Sequence, residues 1–203
     1  MKLYNSIGPN PHIVRMFMAE KGIEMEKVEI DIMAADNRAE GYLGVNPAGQ
    51  LPALKLDSGE LITEVTAICE YLDEIHPGGN LIGETPEERA QTRRWTRWVD
   101  LNVYEPAANG FRFSEGLQMF ENRMRCLPDA ADGLKACAQD KLKWLNDQMA
   151  TNEFVAGDRF SMADIMLYCG LAFLGQVGQP LNPELSHVTA WFERIGARAS
   201  AAA

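Results

Sequence analysis

Asn46-Pro47-Ala48-Gly49-Gln50-Leu51-Pro52-Ala53-Leu54 decides how this chain is read. A proline stands between apolar residues, just before a strand-like run. It removes a backbone donor and favours a cis bond. The Leu51 backbone is then left to pair with something outside the protein. Leu61-Ile62-Thr63-Glu64 follows at short range, and then the helical run Ala67 to Leu72. A helix N-terminus beginning at Glu64 offers bare amides to an anion. Together these features predict a pocket for a peptide-like ligand that carries a carboxylate.

Working outward, Lys2 to Asn5 reads as a short strand. Pro11 to Lys21 reads as a helix with Ile13, Val14, Phe17 and Met18 on one side, ended by Gly22. Glu26 to Ile32 alternates Val28, Ile30 and Ile32 inward, as a strand does. Ala53 to Leu56, the Asp57-Ser58-Gly59 turn and Leu61 to Thr63 form a hairpin, and Glu64 to Ile75 is the closing helix. The order is β-α-β, a short helical or loop region, then β-β-α: an α/β domain over residues 1–77. His76-Pro77-Gly78-Gly79-Asn80 breaks the pattern and marks a boundary.

After the boundary the chain reads as helices only, an all-α domain over residues 85–203. Thr85-Pro86-Glu87-Glu88 gives an N-cap, a proline at the first helical position and acidic first-turn residues. Helices are predicted from Glu87 to near Asn109, Glu115 to Arg125, Asp129 to Met149, Ser161 to Phe173 and Leu185 to Ile195. Gly196 is expected to end the last of these, and the Ala-rich end to fray.

Composition narrows the partners. Of 203 residues 46% are hydrophobic, which predicts a packed core. A net charge of −10 argues against nucleic acid or anionic lipid as a general partner. Arg93, Arg94 and Arg97 read as a solvated helix face. No apolar secretory segment follows Met1, and the most apolar stretch, Ile165 to Val177, is interrupted by glycines, so no membrane span is expected. Cys69, Cys126, Cys137 and Cys169 lack metal-like spacing, so no metal site is expected. Cys69, Cys137 and Cys169 are expected as reduced core thiols, with Cys126 more exposed. The expected location is the cytoplasm.

The chain resembles the cytosolic glutathione transferases over essentially its whole length. Asn46 to Leu54 resembles the family's strand entry with its cis-proline, and Glu64 to Leu72 the opening of the next helix. Gly157-Asp158-Arg159-Phe160-Ser161-Met162-Ala163-Asp164 resembles the family's capping motif in the second domain, the most specific of the three. Physically, Ser161 caps the helix and Asp164 reaches back to the Ser161 amide. The resemblance implies a thioredoxin-like N-terminal domain, an all-helical C-terminal domain, glutathione as co-substrate and a homodimer.

Glutathione has two carboxylates, an α-amine and a thiol. A useful site grips the ends and stabilises the thiolate. The head of the first helix favours a thiolate, and one aimed donor adds to that. The family's donor is tyrosine, serine or cysteine in different classes. The candidates here are Asn10, then Ser6, then Tyr4, which reads as a core aromatic. Ser6-Ile7-Gly8-Pro9-Asn10 resembles the same region in nu-class bacterial enzymes and in the yeast prion-forming relative, which carry a Pro-Asn pair. In the family's cysteine-bearing bacterial class a cysteine takes the place of Asn10, so a mixed disulfide at this position is excluded.

By the same resemblance, Leu51 pairs with the cysteinyl unit like an added strand, and Pro52 holds that geometry. Glu64 faces the glutamyl amine. Val65 departs from the family's usual serine and offers only its amide, with Thr66 as a partial substitute. Asn37, Arg38 and Gln50 are candidates for the glycyl carboxylate. Asp100 matches a position that reaches the neighbouring subunit's ligand. Tyr104, Asn109, Phe111 and Phe113 are candidates for lining a second-substrate pocket. The leading expectation is an enzyme using thiolate glutathione against an electrophile, an ether or halide, or a disulfide or peroxide. The alternatives are a non-catalytic binding or interaction protein, which Val65 favours, and an isomerase. Isomerases of the family carry a serine- and cysteine-rich sequence that Gly8-Pro9-Asn10 lacks.

Overall fold

Alternation along two neighbouring strands organises the first half of the chain. In the computed structural model, which describes residues 1–203, β1 (Lys2–Asn5) runs parallel to β2 (Glu26–Glu29) and antiparallel to β3 (Ala53–Lys55). Strand β4 (Leu61–Thr63) runs antiparallel to β3, and the sheet order is β2-β1-β3-β4. The register pairs Leu3 with Leu54 and Tyr4 with Ala53. Successive side chains point to opposite faces. Tyr4 and Ala53 therefore share one face, where they pack with Tyr42 and are flanked by Val28, Ile30, Val45, Leu51 and Leu61. The Tyr4 and Tyr42 rings meet edge to face at 5.6 Å. Leu3 and Leu54 look the other way, toward α1 (Pro9–Lys21) and α3 (Val65–Ile75), whose Ile13, Phe17, Ile68 and Leu72 are fully buried. A 3-10 turn and the short α2 (Glu40–Leu43) link β2 to β3.

Two compact units result: Met1–Leu81 with Ala199–Ala203, and Ile82–Arg198. The second is helical. Its α4 (Pro86–Val99) opens on a capping box, in which the Glu88 amide donates to Thr85 Oγ1 at 3.1 Å and Glu88 Oε2 accepts from the Thr85 amide at 3.3 Å. The remaining helices are α5 (Glu105–Arg112), α6 (Leu117–Phe120), α7 (Ala131–Gln148), α8 (Met162–Gln176) and α9 (Ser186–Gly196). Helix α8 is the hub of this unit, with ten of its residues buried. No helix is long and apolar enough to cross a membrane.

The Ser161 motif builds a four-donor cage around one carboxylate. Asp164 Oδ2 accepts from the Ser161 amide at 2.9 Å and the Ser161 hydroxyl at 3.0 Å. Its Oδ1 accepts from the Val155 amide and from Trp191 Nε1, both at 2.9 Å. The box therefore does more than start α8: it ties the preceding loop and α9 to the same residue.

Several expectations are corrected. The first helix begins at Pro9, because Gly8 takes the N-cap with φ 109° and proline suits the first helical position. Asn10 is thus the second helical residue. Strand β2 stops at Glu29, although Ile30 N still donates to Asn5 O at 2.9 Å. Asp31 then turns the chain by accepting from the Met33 and Ala34 amides. The long helix after Thr85 is interrupted by a π turn, Asp100–Tyr104. The helix expected over 115–125 shrinks to Leu117–Phe120, which buries no residue, so little tertiary packing sustains a longer one. Cys137 is exposed: the α7 stripe runs through Ala131, Ala138, Leu142 and Leu145 and passes it by. Gly196 lies inside α9, which Ala197 caps. The alanine-rich end forms a 3-10 turn, Ala199–Ala202, with Ser200 buried.

Candidate functional site

Continued one step past its paired residues, the sheet register brings three segments to one end. Tyr4 pairs with Ala53, and Ala53 pairs with Thr63. Leu51 and Pro52 therefore lie between the segment leaving β1, Ser6 to Asn10, and Glu64 at the head of α3. The Leu51–Pro52 bond is cis.

The carbonyls preceding Leu51 are held by side chains. Arg38 Nη1 donates to Ala48 O at 3.2 Å, and Asn37 Nδ2 to Gly49 O at 2.7 Å. Gln50 O accepts twice, from the Tyr42 hydroxyl at 2.7 Å and Asn46 Nδ2 at 2.9 Å. Burial pushes the Tyr42 hydroxyl up to about 12, against the pull of Asn46, so it stays a donor at neutral pH. Leu51 itself, half-buried, makes no hydrogen bond through its N–H or its carbonyl. Gly49 adopts φ 61°, and a Cβ there would stand 2.8 Å from Asn37 O and 2.9 Å from Arg38 Nη1. Gly49→Ala is expected to destabilise the first unit by about 1–3 kcal/mol, the usual cost of a strained backbone conformation. Thermal unfolding measures it; an unchanged midpoint contradicts the packing described for this loop.

Glu64 is exposed and has φ 68°, an uncommon conformation for a residue with a side chain. It places the α3 N-terminus at the site. The Val65, Thr66 and Ala67 amides have no acceptor within the protein. They are the donors a carboxylate would need.

Of the sulfur candidates, Tyr4 is a core residue at 8% exposure. Ser6 is buried, and its hydroxyl donates to Ile30 O at 2.6 Å. A hydroxyl has one proton, so Ser6 has no donor left for a ligand. Asn10 is half-buried on the first turn of α1. Prolines at 9 and 11 leave Asn10 as the one backbone N–H among the first three helical positions. Of the glycyl-end candidates, Asn37 is buried with its amide committed to Gly49, whereas Arg38 and Gln50 are exposed.

In the second unit, Tyr104 and Phe113 are buried, at 6% and 7% exposure. The Tyr104 ring packs on Gly170, where a Cβ would be 2.9 Å from its Cδ2, and burial pushes its hydroxyl far up. Both are core residues of their own unit, which is the physical limit on any lining role. Phe111 meets Phe120 and Phe173 edge to face, and Asn109 bridges Glu105 and Arg112. Asp100 pairs with Arg97 at 2.9 Å; burial raises its carboxyl and Arg97 opposes the rise. Sequence reading missed Tyr42, Asn5 and Arg15, which touch the site segments from positions with no motif. Asn46 heads the Asn46–Leu54 motif, but its hold on Gln50 O showed only in the structure.

The Glutathione S-transferase, N-terminal domain family matches residues 7–75, and the Glutathione S-transferase, C-terminal domain family matches residues 128–194. Glutathione S-transferase 2 from Saccharomyces cerevisiae is 30% identical over 200 residues, covering 95% of this chain and 84% of that protein. The crystal structure of a glutathione S-transferase domain-containing protein from Marinobacter aquaeolei VT8 is 36% identical, with a TM-score of 0.92 over 98% of this chain and 99% of that one. The crystal structure of beta-etherase LigF from Sphingobium sp. strain SYK-6 is 26% identical, with a TM-score of 0.83 over 98% of this chain and 96% of that one. A thioredoxin-like unit with a cis-proline, followed by a helical unit with a caged capping box, is matched domain by domain and in order: the chain belongs to the glutathione S-transferase family.

Proposed function

We propose that the first unit binds glutathione and presents its sulfur as a thiolate nucleophile for transfer to an electrophile. The observation that carries this is the unpaired Leu51 backbone before cis-Pro52, opposite an α3 head with three unused amides. The cysteinyl unit pairs with Leu51 as an added strand. The glutamyl carboxylate takes the Val65 and Thr66 amides, and Glu64 takes the glutamyl amine. Arg38, with Gln50 beside it, takes the glycyl carboxylate. Asn10 supplies the donor to sulfur on a helix end that already favours negative charge. No cysteine stands at position 10, so disulfide or peroxide reduction at this site runs through glutathione itself.

Calorimetry with glutathione, thiolate absorbance, and a panel of an aryl halide, a disulfide, a peroxide and an aryl ether test the proposal. The ether is included because LigF is a beta-etherase. Millimolar glutathione giving neither heat nor thiolate absorbance overturns it. Val65 gives a second test. A serine there adds a hydroxyl donor to the glutamyl carboxylate, and bonds to charged groups are worth about 1.5–3 kcal/mol. Val65→Ser is therefore expected to tighten glutathione roughly tenfold or more. An unchanged or weaker Kd counts against the carboxylate lying at α3.

A further inference from the structure

The stretch ahead of Asn10 donates few backbone hydrogen bonds. Ile7 and Gly8 donate no backbone hydrogen bond within the protein, Ile7 is 62% exposed, and positions 9 and 11 cannot donate. Its fixation comes from further along α1. Arg15 Nη1 donates to Ser6 O at 2.9 Å and to Asn5 Oδ1 at 2.8 Å. Asn5 Nδ2 donates to Glu29 Oε1 at 2.7 Å, and Ser6 is pinned to Ile30 O. At the other end of the segment, the His12 amide donates to Gly8 O at 3.2 Å. Both helix residues are met from outside by the chain's last turn. Arg15 Nε donates to Ala203 O at 3.1 Å, His12 Nε2 lies 3.0 Å from Ala201 O, and the Ser200 hydroxyl bonds the Glu20 carboxylate.

We propose that Arg15 is a positioning residue for thiol activation, fixing the Ser6–Asn10 segment so that Asn10 meets the sulfur, with residues 199–203 as its brace. The inference rests on the glutathione reading above. One guanidinium reaches three oxygens on two segments, Asn5–Ser6 and the chain's last turn, in a planar fork. A lysine ammonium is a compact charge on a flexible stem and cannot reproduce that spread. A misplacement of about 1 Å in a reacting geometry costs up to a hundredfold in rate, so a support behind the loop is visible in turnover before it is visible in binding.

The test compares the wild-type chain with Arg15→Met and Arg15→Lys. The readouts are the Kd for S-methylglutathione, which has no thiol to activate, the thermal midpoint, and kcat with an aryl halide at saturating glutathione across pH. Arg15→Met is expected to keep the S-methylglutathione Kd within about threefold while kcat falls on the order of ten- to a hundredfold. The midpoint of its pH–rate profile moves upward, and Arg15→Lys recovers only part of both. A folded variant with unchanged kcat and pH midpoint overturns the proposal. So does a loss of S-methylglutathione affinity in step with kcat, which marks a purely structural residue. Should Arg15→Met fail to fold, Arg15→Lys is judged by the same readouts, and wild-type turnover and pH midpoint in it overturn the proposal. A wild-type chain that binds no S-methylglutathione overturns the functional reading itself, a result distinct from these.

Discussion

Asp164→Ala is expected to lower the stability of the helical unit by about 4 kcal/mol. The substitution strands four buried donors at once: the Val155 and Ser161 amides, the Ser161 hydroxyl and Trp191 Nε1. Each stranded donor costs about 1–3 kcal/mol, discounted where the surroundings relax. For a chain of this length the corresponding fall in Tm is roughly 10 °C. Asp164→Asn is expected to lose less, because its carbonyl still satisfies one pair of donors while its amide faces the other. Ionisation gives a second signature. Burial pushes the Asp164 carboxyl up to about 6 despite the four donors. A group whose pKa is higher folded than unfolded contributes stability that is complete below 3.8, its ordinary value, and lost as pH rises through about 6. The wild-type chain therefore loses stability relative to Asp164→Asn across that window. Denaturation midpoints at several pH values check both statements. A midpoint for Asp164→Ala within a degree of wild type means the cage is not what holds α8 and α9 to the preceding loop.

The same residue shows what a sequence discloses and what it withholds. The Ser161–Asp164 box is local, three residues apart, and its chemistry can be read from residue types alone. The bond to Trp191 spans 27 residues and leaves no mark in the pattern. The site divides likewise. Pro52, Leu51 and the α3 head were legible because backbone geometry follows from nearby proline and helix signals. Tyr42 on Gln50 O and Arg15 on Ser6 O were not, since each depends on how α2 or α1 packs against the sheet. The alanine-rich end reads as a fraying tail because its composition promises no burial. It is ordered instead by contacts with Glu20, His12 and Arg15, more than 170 residues away. The expected helix over 115–125 failed for the opposite reason: its periodicity was adequate, and the single turn that forms buries none of its residues. Composition and periodicity report what a segment can do, and tertiary contacts decide which of those options is used.

Asn10→Ala and Ser6→Ala separate the two leading sulfur partners, and the structure predicts opposite outcomes for them. On the proposed reading, removing the Asn10 side chain deletes a donor to a developing thiolate while leaving the Asn10 backbone amide and the helix end in place. A hydrogen bond to a charged group is worth about 1.5–3 kcal/mol, which converts to a fall in kcat/KM of about ten- to a hundredfold. The bound thiol should also ionise at higher pH, since a donor that favours the charged form has gone. Ser6→Ala removes the bond to Ile30 O instead. That is expected to cost about 1 kcal/mol of stability and to leave the ionisation of the bound thiol where it was. Thiolate absorbance across pH, read beside thermal midpoints, distinguishes a sulfur partner from a scaffold residue. If Ser6→Ala shifts the thiol ionisation and Asn10→Ala does not, the hydroxyl must turn from Ile30 to the ligand on binding. The donor would then lie at the end of β1 and not on the first turn of α1.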